Sequence, residues 1–157
     1  DNDYYCECYN NDINSLVKIL ETELDIIYLD PPYNQHPYGS NYFMLNIIAE
    51  NKLPDKISAV SGVPTDWKRS SYNKKPDAKS SMKELIKDCL TKTKYVLLSY
   101  NNEGFIKEED WNDILNDYKV EKKEILYDAY KGSRNLKKRK DNLVHLRKGN
   151  PHLCQCT

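Results

Sequence analysis

DIIYLDPPYN spans residues 25–34. Its first half, Asp25-Ile26-Ile27-Tyr28-Leu29, is a β-rich apolar run of the kind that forms a strand buried on both faces. Asp30-Pro31-Pro32-Tyr33 ends it. Neither proline donates a backbone N–H and each fixes its own φ, so the strand stops there. Asp30 and Pro31 each precede a proline and are driven toward extended conformations. The expected product is a stiff loop at a strand's carboxyl edge, presenting a carboxylate, open carbonyls and an aromatic face. Ligands of open α/β sheets bind at that edge.

Upstream, residues 4–9 read as a short strand, and Asn10-Asn11-Asp12 supplies turn and N-cap chemistry. Ile13, Leu16, Val17 and Leu20 then recur at helical spacing. Strand, capped helix and strand make a βαβ unit, the mark of a parallel sheet. Downstream, residues 41–50 read as a helix with Phe43, Met44, Ile47 and Ile48 inward. Residues 51–79 lose periodicity and hold Pro54, Gly62, Pro64 and Pro76, as a long surface excursion would. Ser80 is placed to cap a helix reaching about Leu90, with Met82, Leu85, Ile86 and Cys89 or Leu90 buried. A strand at residues 95–100, a helix at 108–115 and a strand at 119–127 follow. Residues 141–146 pattern as a further strand.

The 157 residues suffice for one domain. The 24 basic and 24 acidic side chains cancel, so total charge names no partner. Their distribution is uneven. Acids crowd the first thirty residues around Lys18 alone, while Lys131, Arg134, Lys137, Lys138, Arg139 and Lys140 cluster late, either as a phosphate-contacting patch or as a solvated basic loop. No run reaches transmembrane length and no signal peptide opens the chain, so a cytoplasmic protein of prokaryotic or phage type without a membrane partner is expected. The five cysteines are expected to be reduced. The pairs Cys6/Cys8 and Cys154/Cys156 lack the two-residue gap of common zinc knuckles, so no metal is assigned.

The tetrad Asp30-Pro31-Pro32-Tyr33, with Tyr38 and Asn41-Tyr42 behind it, resembles the DPPY motif of S-adenosylmethionine-dependent amino methyltransferases, most closely the Dam-like adenine-N6 DNA methyltransferases. The resemblance implies a Rossmann-like α/β fold and S-adenosyl-L-methionine as cofactor. It implies methyl transfer to an adenine flipped from double-stranded DNA, within a restriction-modification system. Asp30, Pro31, Pro32 and Tyr33 match the catalytic loop. Asp12 matches the acidic residue that binds the cofactor's adenine, with Ile13 beside it and Asp30 also near the cofactor; a plain helix N-cap is the other reading of Asp12. Tyr38, Asn41, Tyr42 and Tyr100 would lie near the target base, Tyr100 alternatively being a core aromatic. Lys131, Arg134, Lys137 and Lys138 match a loop close to DNA, and the excursion at residues 51–79 is a candidate DNA-contacting segment. Pairing of residues 119–127 with 141–146 as an antiparallel hairpin is partly implied by the same fold.

The resemblance covers most of residues 3–148 and departs in two places. The glycines at positions 39, 62, 104, 132 and 149 are each isolated, and no F-x-G-x-G turn for the cofactor's methionine end precedes Asp12. The tail, residues 149–157, follows no family pattern. The expectation is therefore an incomplete domain at residues 1–148: the C-terminal half of a mixed, mostly parallel sheet. It would work with a missing N-terminal half or a complementary subunit, alongside a cognate restriction endonuclease. Cytosine-N4 or RNA amino methylation, and a non-catalytic DNA-binding remnant, are the alternatives.

Overall fold

The computed structural model describes residues 5–67, 69–127 and 139–148. The basic cluster from Lys131 to Lys138 and the tail with its cysteine pair lie outside the described residues. Four strands form one sheet, β1 (Leu24–Leu29), β2 (Thr93–Asn101), β3 (Tyr118–Tyr127) and β4 (Arg139–Lys148), in the order β1-β2-β4-β3. β1 and β2 are parallel, with Ile27 opposite Val96 and Leu29 opposite Leu98. β2–β4 and β4–β3 are antiparallel. The hairpin is therefore present, its returning strand slotted between β2 and β3. The sheet is mixed, but with one parallel pairing against two antiparallel ones it is not mostly parallel among the described residues.

Helix α1 (Ile13–Ile19) starts on Asp12, whose Oδ1 accepts the Ser15 N–H at 3.1 Å, so the N-cap is formed. Residues 5–10 ahead of it form no strand and are exposed. A strand must exchange backbone hydrogen bonds with a neighbour, and this segment pairs with no strand among the described residues, leaving the outer edge of β1 open. The parallel crossover instead lies between β1 and β2. It contains α2 (Tyr38–Asn41), α3 (Phe43–Glu50), a 3-10 turn (Ser71–Asn73) and α4 (Lys75–Lys92).

α4 begins earlier than the expected Ser80 cap. Pro76 reads as a breaker but sits in the first turn, where its missing N–H has no intrahelical partner to lose. Tyr72, Asn73 and Ala78 are consequently buried, so the surface excursion gives way to core before residue 79. Within it, Ile57 bridges Pro64, with Gly62 turning at φ +66°. α3 ends on Asn51 at φ 48°, a left-handed cap that asparagine tolerates.

Met82, Leu85, Ile86, Cys89 and Leu90 of α4 pack with Val17 of α1 onto Val96, Leu98, Val144 and Leu146 of the sheet. α5 (Glu108–Leu115) extends this layer through Ile114, with Trp111 and Leu115 partly buried. Two burial expectations fail. β1 is covered on one face only: Leu29 is buried and Ile27 half-buried, whereas Ile26 and Tyr28 are 57% and 58% exposed. On α3, Met44 and Ile48 are 55% and 70% exposed, and Phe43 and Ile47 half-buried. In each case the apolar pattern is present but no described layer lies over it.

Candidate active site

The parallel pair ends where the prolines begin. There a cleft of about 700 Å³ opens between the carboxyl end of β1 and the start of α1. Asp12 and Ile13 line it together with Leu29, Asp30, Pro31, Pro32 and Tyr38. Residues far apart in sequence but singled out together thus share one cavity. Tyr38 is half-exposed, and burial, together with the nearby Asp30 carboxylate, raises its phenol above the ordinary value.

Both groups at the loop's tip are open acceptors. Among the described residues nothing donates to the Asp30 carboxylate or to the Pro31 carbonyl. Asp12 spends Oδ1 on the helix cap, receiving Ser15 N and Ser15 Oγ, while its Oδ2 takes no bond among the described residues. The N-cap therefore occupies one oxygen of the carboxylate and leaves the other without a partner among the described residues.

Tyr33 leaves the cleft rim for the core side, its ring edge-on to Tyr100 with centroids 6.3 Å apart. Its carbonyl accepts from Phe105 N at 2.8 Å. Tyr100 is buried, stands edge-on to Trp111 at 4.9 Å, and accepts Ile106 N on its hydroxyl at 3.2 Å. The glycine at 104 makes room here, because a Cβ would lie under 3.0 Å from Cε1 of the buried Tyr100 ring. Asn41 and Tyr42 are exposed and do not line the cleft, though the Tyr42 ring leans on Tyr38 at 5.7 Å. Cys6 and Cys8 are exposed free thiols.

Ser70, Tyr72 and Leu85 also line the cleft and were not singled out from the sequence. Ser70 and Tyr72 fall in a stretch without periodicity. The signal available was local: Ser70 caps the 3-10 turn, its Oγ accepting Tyr72 N at 3.3 Å. Tyr72 donates its hydroxyl to Asn14 Oδ1 at 2.6 Å, and burial pushes its phenol well above the ordinary value.

A helical crossover on a parallel pair, with an acidic, proline-stiffened loop at the carboxyl edge, defines an α/β protein with a cleft at the strand ends, where ligands of open α/β sheets bind. Residues 1–114 match the family model for D12 class N6 adenine-specific DNA methyltransferases, and the chain belongs to that family. It is 37% identical over 147 residues to the modification methylase StsI of Streptococcus sanguinis, covering 90% of this chain and 21% of that protein. It is 38% identical over 102 residues to the type II methyltransferase M.NlaIII of Neisseria lactamica, covering 64% of this chain and 28% of that protein. For M.FokI of Planomicrobium okeanokoites the identity is 33% over 117 residues, covering 74% and 18% respectively. The chain thus spans less than a third of these relatives. No solved structure matches it.

Proposed function

We propose that this chain carries the catalytic loop and part of the cofactor cleft of a restriction-modification DNA methyltransferase acting on adenine N6. The supporting observation is that Asp30 and Pro31, which present two open acceptors, line one cleft with Asp12.

The adenine amino group is a poor nucleophile because its lone pair is delocalised into the ring. Asp30 and the Pro31 carbonyl each accept one of its N–H bonds, which favours the rehybridised nitrogen and aligns it for in-line attack. Bound S-adenosylmethionine supplies an electrophilic methyl group. No strong general base is needed, since the methylated nitrogen is itself acidic. Asp12 Oδ2 suits an amino donor, and Ile13, Leu29 and Pro32 offer apolar walls, so the residues fit the adenosine end of the cofactor. Among the described residues, no glycine lines the cleft to approach its methionine end.

Tyr38 supplies aromatic surface for a base taken out of the duplex, with Asn41 and Tyr42 at its approach, while Tyr33, turned to the core side against Tyr100, anchors the catalytic loop. Residues 51–70 and the basic residues Lys131, Arg134, Lys137 and Lys138 are assigned to double-stranded DNA, the latter through phosphates. The working unit is residues 1–148, completed by further methylase polypeptide and paired with a cognate endonuclease. The test is methylation of DNA by a methylase of the relatives' length carrying this chain. N6-methyladenine is the expected product, and Asp30→Ala should lower the rate at least a hundredfold. Equal activity of parent and Asp30→Ala would refute the assignment.

A further inference from the structure

The prolines that stiffen residues 30–33 also remove two of the loop's four backbone donors. β1 ends at Leu29, Pro31 and Pro32 have no N–H, and the tip must be fixed from outside. Two groups do so, at successive carbonyls. Phe105 N donates to Tyr33 O at 2.8 Å. Asn73 Nδ2 donates to Asn34 O, also at 2.8 Å, across 39 residues of sequence. Asn34 in turn folds its own Oδ1 back on His36 N at 3.0 Å, closing the turn that leaves the loop.

Asn73 is only 6% exposed, which is unusual for an amide side chain unless its bonds matter. The backbone around it is arranged to hold it in place. Asn73 N donates to Ser70 O at 3.1 Å, within the 3-10 turn. The turn is tied to two helices, through Tyr72 hydroxyl to Asn14 and through Asn14 Nδ2 to Ser81 O at 3.0 Å.

We propose that Asn73 is a positioning residue of the reaction: its amide holds the Asn34 carbonyl, and so sets where the Asp30–Tyr33 loop presents its acceptors. This rests on the function proposed above. It makes the 3-10 turn, which directly follows the excursion assigned to DNA, part of the catalytic machinery's support. A carboxylate displaced by about 1 Å loses on the order of a hundredfold in rate.

The test uses a methylase of the relatives' length carrying this chain. Asn73→Leu keeps the bulk and removes the donor. It should lower kcat about tenfold to a hundredfold while KM for cofactor and for DNA stays within about threefold. Asn73→Asp has the same shape, and its carboxyl donates only when protonated. Its activity relative to the parent should therefore rise as pH falls, whereas that of Asn73→Leu should not. Amide exchange gives a readout independent of turnover: in Asn73→Leu, Asn34, Gln35 and His36 should exchange about tenfold faster, with α4 unchanged. Retention of kcat within twofold, or unchanged exchange at Asn34–His36, would overturn the proposal. If the parent methylase makes no N6-methyladenine, the function fails, and the exchange result alone decides the role of Asn73.

Discussion

The two faces of the sheet are finished to different degrees. On one, Val96, Leu98 and Tyr100 of β2 line up with Val144 and Leu146 of β4 under α4 and α5. On the other, no described helix lies over Ile26, Tyr28 and Tyr95, which are all exposed. That second face is not uniform. Toward β3 it carries Lys119, Glu121 and Lys123, and His145 stacks on Tyr95 at 5.5 Å, so water is a suitable neighbour there. Toward β1 it is apolar. Parallel strands are ordinarily covered on both sides, so the β1 end has the composition of an interior without the cover.

This contrast can be broken by substitution. Ile86→Ala, on the covered side, should cost about 2–5 kcal/mol in chemical denaturation. Ile26→Ala, on the bare side, should stay within about 0.5 kcal/mol. Comparable losses at the two sites would mean that both faces are packed in solution. A smaller effect concerns association. The isolated chain should self-associate through Ile26 and Tyr28 as concentration rises, and Tyr28→Lys should reduce this in sedimentation velocity. A monomer at all concentrations would show the bare face to be adequately solvated.

The smallest effect concerns the clamp of α4 to α5, in which Lys79 Nζ lies 3.0 Å from Asp110 and 3.1 Å from Asp113. Asp110 is held below its ordinary carboxyl value chiefly by the Lys107 backbone N–H and then by Lys79; Asp113 is lowered chiefly by Lys79. Depressed folded values stabilise above the unfolded carboxyl value and lose that contribution as pH falls through the folded ones. Lys79→Met should therefore lower Tm slightly near neutral pH and not at about pH 2. An equal difference at both pH values would remove the ion pairs as its cause.

The parts of the sequence that read correctly are those governed by local rules. The helix at 108–115 and the strand stop before Asp30 follow from periodicity and proline chemistry, and the family from a four-residue motif with its flanks. Burial failed where a neighbour decides it. Ile26, Tyr28, Met44 and Ile48 have core-like spacing, but burial is a property of two surfaces and the sequence of one supplies only half. Pro76 misled because a proline in a first turn and a proline that ends a helix look alike without the cap. Asp12 and Asp30, which the structure brings to one cleft, were singled out by resemblance. Asn73 was not, because its contact with Asn34 follows no spacing rule.

The strand order has a consequence for how the chain is made. β3 pairs with β4 alone, and β2 has β1 on one side and β4 on the other. As synthesis proceeds, β3 emerges with no partner, and the inner edge of β2 stays open until residues 139–148 arrive and insert between them. Two unpaired edges are thus exposed together until residues 139–148 have been made, a window in which intermolecular strand pairing competes with folding. A chain halted before residue 139 would keep that window open permanently.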